Sequence, residues 1–143
     1  MIFREAGVED IPALFEIRFS VKENVLSDPG KVTPEMCAAY LSVSGKGWLC
    51  EIGGEAVGFS VASRADASIW ALFVKPEYEG RGIGTRLLTL ATDWLFAQGA
   101  PRIILSTDAN TRADRLYERR GWQRGEIKPD GEVVYRLDKA RRT

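Results

Sequence analysis

The sequence predicts one α/β (α+β) domain over residues 1–143, with a mixed, largely antiparallel central sheet of six to seven strands flanked by about four helices. Two observations predict this fold. The apolar patterns run in the order strand, two helices, three strands, helix, strand, helix and two strands, and such alternation places helices on the faces of a sheet. The length of 143 residues, with 45% hydrophobic and 28% charged residues, is typical of one soluble globular domain.

A short strand and two helices open the chain. The strand covers Ile2 to Arg4. Asp10 caps the first helix, and Thr33 caps the second, which carries Pro34 at its first position, where proline is well tolerated. Between the helices, Ser27-Asp28-Pro29-Gly30 predicts a loop by its turn chemistry.

Three strands follow the second helix. Two of them, Trp48 to Ile52 and Glu55 to Ala62, flank Gly53-Gly54, and this pattern predicts a hairpin. The third, Ile69 to Val74, is dense in apolar residues, and we therefore predict that it is buried on both faces.

The second half of the chain alternates between helices and strands. A glycine-rich turn from Gly80 to Gly84 opens a long amphipathic helix that ends at Gly99 and Pro101. The remaining elements are, in order, a strand from Ile103 to Thr107, a helix from about Asn110 to Arg120, and strands from Trp122 to Ile127 and from Val133 to Leu137.

Composition and charge exclude several classes of function. The 20 basic and 20 acidic residues give a formal net charge of 0, which argues against nucleic-acid binding. The chain has no histidine, so histidine-based triads and histidine-ligated metals are excluded, and no metal is expected. The longest apolar run, Ile69 to Val74, is too short to cross a membrane, and Met1 to Glu5 lacks the layout of a signal peptide. We therefore expect a cytoplasmic protein that binds neither membranes nor nucleic acid.

The glycine turn is a candidate anion site. Pro76 prevents the preceding strand from continuing, and backbone N–H groups then converge at the positive end of a helix dipole, an arrangement suited to phosphate. No Gly-Lys-Ser/Thr is present, and Gly80, Gly82 and Gly84 lack the spacing of a dinucleotide fingerprint. If only the glycines are considered, a plain strand-to-helix connection explains the turn as well as an anion site does.

Two wider motifs indicate a family. The first runs from Leu72-Phe73-Val74-Lys75-Pro76-Glu77-Tyr78 through Gly80-Arg81-Gly82-Ile83-Gly84 to Leu87-Leu88. The second follows further along the chain and consists of Asn110, Ala113, Tyr117, Gly121 and Trp122. In this order and spacing, the two motifs resemble the acyl-CoA-binding motifs of the GNAT superfamily of N-acetyltransferases.

The resemblance implies the GNAT acyl-CoA N-acyltransferase fold and an enzyme that transfers the acetyl group of acetyl-CoA directly to a primary amine of a small-molecule or protein acceptor. Direct transfer is favoured because neither Cys37 nor Cys50 lies in the two motifs. A non-catalytic acyl-CoA-binding sensor or regulatory domain on the same fold is the alternative. Members of the family are often dimers, so a homodimer is also left open.

The resemblance further implies roles for residues of the first motif. The pyrophosphate of acetyl-CoA would lie on the backbone amides of Arg81, Gly82, Ile83, Gly84 and Thr85. The pantetheine arm would pair with the strand residues Leu72, Phe73 and Val74. The Val74 amide would stabilise the oxyanion of the thioester. The family usually has Gln or Arg where this chain has Glu79, whose carboxylate would be repelled by the pyrophosphate if it pointed inward.

In the second motif, the resemblance implies that Asn110 hydrogen-bonds the pantetheine and that Tyr117 points its hydroxyl at the sulfur. The spacing of Asn110, Ala113 and Tyr117 also predicts one shared helix face, on which the small Ala113 leaves room for a ligand. Tyrosine, with a reference pKa of about 10, stays protonated at neutral pH and can act as general acid to the thiolate. The alternative interpretation of Tyr117 is a core aromatic residue.

The acceptor pocket of this family usually lies between the first two helices and the strands around the glycine turn. The catalytic candidate there is Glu23, as base, because the chain has no histidine; a solvated helix face is the alternative. Further pocket candidates, with core packing as the alternative for the tryptophan, are Ser68, Trp70, Ser106 and Asp108. Four arginines are interpreted as a solvated helix face, with one of them available to the 3′-phosphate of CoA: Arg112, Arg115, Arg119 and Arg120.

Overall fold

Seven strands and four α-helices make up the part of the chain that the computed structural model describes, residues 1–21 and 33–139. The strands are β1 (Ile2–Ala6), β2 (Gly45–Ile52), β3 (Glu55–Ser63), β4 (Ser68–Val74), β5 (Arg102–Asp108), β6 (Gln123–Ile127) and β7 (Glu132–Asp138). The helices are α1 (Ile11–Ser20), α2 (Pro34–Ser42), α3 (Ile83–Ala97) and α4 (Arg112–Arg119). The predicted order of elements is confirmed. The predicted loop at 27–30 and the candidate base Glu23 lie outside the described residues.

The strands form one mixed sheet in the order β1-β2-β3-β4-β5-β7-β6. Neighbouring strands run antiparallel except for β4 and β5, which are parallel. The β4–β5 ladder holds a single register pair, Ser68 with Ile104, beyond which the two strands separate. The predicted mixed, largely antiparallel sheet is therefore confirmed, and a cleft opens near its middle.

Helices cover both faces of the sheet. On one face, α3 buries an apolar stripe that includes Leu87, Ala91 and Leu95, each at most 1% exposed. On the other face, α1 buries Leu14 and Ile17 against β2, β3 and β4. Each core removes apolar surface from water, which is the main favourable term in folding. The sheet is thus a rigid wall between two hydrophobic layers.

The prediction that the strand from Ile69 to Val74 is buried on both faces is wrong. Ile69 is buried, but the residues from Trp70 to Val74 are half-buried. The cause is the separation from β5, because an apolar strand that loses a neighbour in the middle of a sheet presents its edge and part of its side chains to the cleft.

The two predicted helix caps behave differently. Thr33 caps α2 as predicted, and its hydroxyl accepts a hydrogen bond from the Met36 amide at 3.2 Å. Asp10 precedes α1 without capping the helix amides. Its carboxylate instead accepts a hydrogen bond from the Gly7 amide at 2.9 Å and pairs with Arg4. Asp10 therefore connects the start of α1 to β1.

The start of α4 also differs from the prediction. The helix begins at Arg112, and Thr111 is its N-cap. Asn110 precedes the helix with a φ of 63°, in the left-handed region that asparagine tolerates better than most residues. Asn110 therefore does not share a helix face with Ala113 and Tyr117, and that prediction is wrong.

A buried charge network attaches α4 to the last two strands. The carboxylate of Asp114, which is 5% exposed, accepts hydrogen bonds from Arg124 Nη2 at 2.8 Å, from the Asn110 amide at 2.8 Å and from the Tyr135 hydroxyl. These donors, Arg124 first, hold the pKa of Asp114 well below its usual range. Burial and the nearby Asp114 carboxylate raise the pKa of Tyr135 to about 12. The network positions Tyr117, which lies one turn further along α4.

Replacing Asp114 by Asn should destabilise the fold at neutral pH, because Arg124 and Tyr135 lose a charged acceptor. The folded pKa of Asp114 lies below the unfolded value, so the contribution of the carboxylate is complete above about pH 4 and is lost as the pH falls toward the folded pKa. We expect a loss of about 2 kcal/mol in the free energy of unfolding at pH 7, shrinking below about pH 4. Urea denaturation at a series of pH values measures this, and a loss that stays constant into the acid range would contradict it.

Candidate active site

A cavity of about 590 Å³ fills the cleft between β4 and β5. A β-bulge contributes to the separation of these strands. The β3–β4 register passes from Val61 opposite Ala71 to Ala62 opposite Ile69, so Trp70 has no opposite residue on β3. Bulges bend the strand that carries them, and this one lies just beyond the single β4–β5 pair. The cavity is bounded by β4, the glycine turn, the end of β5 and α4.

One edge of β4 faces this cavity. The Lys75 amide, directly after β4, donates to the Val57 carbonyl of β3 at 2.8 Å. Because successive N–H groups point to opposite sides of a strand, those of Val74 and Leu72 point to the cleft. Among the described residues, no strand pairs with this edge beyond Ser68. An extended ligand can therefore add to the sheet at this edge.

The glycine turn forms one end of the cavity. Gly80 and Gly82 both have a φ of 80°, which glycine adopts without strain. No side chain caps α3 at Gly82, so the amides of the first turn are available to a ligand. A Cβ atom on Gly82 would meet no atom within 4 Å, whereas one on Gly84 would contact Val74 and Leu116 at 3.8 and 4.0 Å. The residues of this turn that line the cavity are Gly80, Gly82, Ile83, Gly84 and Thr85.

Positive side chains surround the turn. The side chain of Arg81 is exposed and lies over the ring of Tyr78, 5.1 Å from its centroid. Arg120 donates from Nη2 to the Thr85 hydroxyl at 3.3 Å and so connects the end of α4 to the start of α3. The cavity is lined by three of the four arginines that were interpreted as a solvated face: Arg112, Arg119 and Arg120. These arginines are exposed, as predicted, but they also make this end of the cavity basic.

Glu79 lies on the cavity wall and faces an arginine. Its Oε2 atom is 3.7 Å from Nε of Arg112, and both side chains are about half exposed. An exposed ion pair of this length contributes little to stability. Its effect is local, because it partly neutralises a carboxylate next to amides that are suited to bind an anion.

Tyr117 lines the cavity from α4 and is 4% exposed. Its ring packs against Tyr135 and Trp122, with centroids 5.5 and 5.8 Å away. Both interpretations of the sequence therefore describe Tyr117, which is a core aromatic residue and also a cavity residue. Burial, and then Tyr135, raise the pKa of Tyr117, so its phenol is protonated across the physiological range. Ala113 lines the cavity on the same helix, whereas Asn110 is exposed before it.

A second cavity of about 150 Å³ lies between α1, α2 and β4. It shares one wall with the large cavity, because Trp70, Ala71 and Phe73 line both. Trp70 stacks on Tyr40 of α2 with ring centroids 4.4 Å apart, so it combines the two roles that the sequence left open. This is the side of β4 where the family resemblance implies the acceptor pocket.

The other acceptor-side candidates are spread along the cleft. Ser106 lines the large cavity from β5. The hydroxyl of Ser68 donates to Asp66 at 2.7 Å, at the end of the cleft where β4 and β5 still pair. Ser68 is therefore part of a turn rather than of the pocket wall.

Arg18 of α1 belongs to the polar stretch before Glu23, which the sequence offers as a possible pocket lining or a solvated helix face without giving Arg18 a role of its own. Its guanidinium lies over the ring of Phe73, with Cζ 4.1 Å from the centroid. Its Nη1 atom is buried and has no hydrogen-bond partner among the described residues. Burial lowers the pKa of Arg18, while the charge of Asp108 at the end of β5 opposes that shift. The sequence does not single out Arg18 within that stretch, because an arginine on a surface helix is ordinarily solvated.

Residues 1–21 and 33–139 contain no group of three or more acidic, cysteine or histidine side chains placed to hold a metal ion. Over the same residues, every helix is too short or too polar to cross a membrane.

Comparison with known proteins gives the class of protein to which this fold and cleft belong. Residues 11–122 match the model of the Acetyltransferase (GNAT) family, and the chain belongs to that family. It is 31% identical over 90 residues to an uncharacterised N-acetyltransferase of Methanocaldococcus jannaschii, a match that covers 56% of this chain and 40% of the relative. It is 32% identical over 96 residues to the mycothiol acetyltransferase of Streptomyces avermitilis, covering 64% of this chain and 30% of the relative. The chain thus spans less than half the length of these relatives.

A solved structure has the same fold over almost the whole chain. The PaiA N-acetyltransferase of Thermoplasma acidophilum, whose structure is a complex with coenzyme A, superposes with a TM-score of 0.80 at 16% sequence identity. The match covers 96% of this chain and 98% of that chain. At this identity, the likeness shows the fold.

Proposed function

We propose that this chain is an N-acetyltransferase that transfers the acetyl group of acetyl-CoA directly to a primary amine. The observation that carries the proposal is a single cavity that joins the glycine turn, the open edge of β4 and Tyr117. A nucleotide diphosphate, an extended acyl arm and a thiolate need these three features in this order. Family membership supports the same activity.

The glycine turn and the arginines bind the pyrophosphate of acetyl-CoA in this proposal. The amides of Ile83, Gly84 and Thr85 belong to the first turn of α3, where backbone N–H groups lack helical partners and the helix dipole is positive. Gly82 lets a phosphate approach the backbone because it carries no Cβ. Among the residues predicted for this task, Arg81 contributes its amide only.

The acyl arm runs along Leu72, Phe73 and Val74, and the thioester carbonyl meets the Val74 amide. This N–H points to the cleft, so it can donate to the oxyanion that forms when the amine attacks. In other acyl transfers, the loss of one such donor costs about 3 kcal/mol of transition-state stabilisation. The donor is part of the β-sheet, so it is held in position before the substrate arrives.

Tyr117 acts on the leaving sulfur. As the nitrogen of the amine forms its bond to the carbonyl carbon, the bond between that carbon and sulfur breaks and negative charge develops on the sulfur. The Tyr117 phenol donates a hydrogen bond to it. If the phenol gives its proton to the sulfur, the resulting phenolate takes up a proton again, because the pKa of Tyr117 is raised above that of a thiol, about 8.5. The amine nitrogen, which loses one proton overall, supplies that proton. Asn110 stays a predicted contact of the acyl arm.

Replacing Tyr117 by Phe should lower kcat by about 100-fold, because it removes the donor to the developing thiolate. The phenyl ring keeps its packing against Trp122 and Tyr135, so the Kd for acetyl-CoA should change by less than about twofold. Thiol release with a panel of amines gives kcat, and calorimetry gives the Kd. Full turnover in this variant would contradict the role of Tyr117.

Replacing Gly82 by Ala should weaken CoA binding by at least about tenfold, because the new methyl group points into the open space where the phosphate approaches. The positive φ also costs about 1 kcal/mol of stability. Gly131 is a matched control, since its φ is 89°, a Cβ atom added to it would meet no atom within 4 Å, and it does not line the cavity. Gly131→Ala should lose the same stability and keep the CoA affinity. Equal affinity in the two variants would place the anion site elsewhere.

Replacing Glu79 by Gln should tighten CoA binding about threefold at low ionic strength, because it removes a negative charge from the basic end of the cavity. Added salt should reduce the gain, since the side chain is partly exposed and its charge is screened. Calorimetry at two salt concentrations tests this. Glu118→Gln, on the exposed face of α4 and outside the cavity lining, is the control that should change nothing. Weaker binding in Glu79→Gln would show that Glu79 supports the site.

A further inference from the structure

We propose, on the basis of the proposed function, that the acceptor is a primary amine that also bears a carboxylate, and that Arg18 binds this carboxylate. The geometry that points to it is the guanidinium of Arg18 at the wall shared by the two cavities, with one nitrogen buried and unpartnered among the described residues.

An unpartnered guanidinium nitrogen is costly in a protein. A buried donor without an acceptor loses its hydration, and the loss is larger when the group is charged. For Arg18, burial shifts the pKa downward, which is the sign of that lost hydration. Such a residue is stabilised by any ligand that brings a matching acceptor.

The position of Arg18 places that acceptor beside the reaction centre. The guanidinium lies 4.1 Å from the ring centroid of Phe73, and Phe73 directly precedes Val74, whose amide faces the thioester carbonyl in the proposed function. Val21, at the end of α1, lines the large cavity. A group bound on Arg18 is therefore close to the place where the amine must attack.

A second charge network holds α1, and with it Arg18, against the sheet. Lys75 is buried, and its ammonium donates to Glu16 of α1 at 2.7 Å and to Glu55 of β3 at 2.8 Å. These two carboxylates raise the pKa of Lys75, so it stays charged. The network fixes the helix that carries Arg18, and the contact with the Phe73 ring holds the guanidinium itself, so less entropy is lost when a substrate binds.

The chemistry favours a carboxylate as the bound group. A guanidinium presents a planar fork of donors that matches the two oxygens of a carboxylate. A molecule with an amine and a carboxylate offers the guanidinium such an acceptor, whereas a polyamine, which is positively charged, offers none.

The experiment compares free amino acids with their carboxamides, which differ in the group offered to Arg18. Because the carboxamide also makes the amine less basic, the decisive quantity is the change in preference between the wild type and the Arg18 variants. Thiol release from acetyl-CoA gives kcat/KM for each pair with the wild type, Arg18→Gln and Arg18→Lys. We expect the wild type to prefer carboxylates at least about tenfold, Arg18→Gln to lose this preference through KM, and Arg18→Lys to keep part of it. Arg64→Gln is the matched control. The guanidinium of Arg64 also lies over an aromatic ring, that of Trp94, but Arg64 lines neither cavity.

Stability, the preference for carboxylates and thiol release together separate the possible failures. Arg18→Gln should keep the acetyl-CoA Kd and should melt close to the wild type, because it removes a buried nitrogen that has no partner among the described residues and loses only the contact with the Phe73 ring. A marked loss of stability would mean that Arg18 is structural and would overturn the inference. Equal use of carboxylates and carboxamides by both proteins would overturn the inference and leave the proposed function in place. Binding of acetyl-CoA without thiol release for any amine would overturn the proposed function and the inference with it.

Discussion

The edge of β4 that faces the cleft is the constraint on which the rest of the structure depends. A strand in the middle of a sheet normally satisfies its backbone groups on both sides. Here β5 shares one register pair with β4 and then separates, so the amides of Leu72 and Val74 face a cavity of about 590 Å³. On a protein surface such an edge promotes aggregation, whereas inside a cleft it selects one extended ligand.

The walls of this cleft are held by charge networks whose members do not line it. Asp114 with Arg124 attaches α4 to the last strands, and Lys75 with Glu16 and Glu55 attaches α1 to the sheet. Ion pairs of this kind are poor evidence of stability, because desolvation offsets much of their attraction. Their value here is geometric, since each fixes a helix that carries a side chain of the cleft.

The two cavities differ in their chemistry. The large one offers amides at a helix start and three exposed arginines, and it suits phosphates that remain partly hydrated. The smaller one, across the wall that they share, offers aromatic side chains and the half-buried Arg18 with one nitrogen unpartnered among the described residues. A neutral, buried Tyr117 lies on the wall of the same cleft. In the proposed function, this asymmetry gives the cofactor and the acceptor separate entries to one reaction centre.

The sequence by itself determined the order of elements, the glycine turn and the two motifs, because each is encoded locally. The periodicity of apolar residues marks helices and strands, and Gly82 marks a backbone that needs a positive φ. Local patterns also led to three errors: spacing placed Asn110 on a helix face, although Thr111 starts that helix; apolar density predicted a β4 buried on both faces; and Asp10 does not cap the amides of α1.

Only the tertiary structure decided which residues meet across the cleft. The bulge at Trp70, the pairing of Glu79 with Arg112 and the unpartnered nitrogen of Arg18 all depend on residues far apart in the chain. Burial and charge at these positions arise from packing between elements, and a pattern along one element carries no record of what lies opposite it.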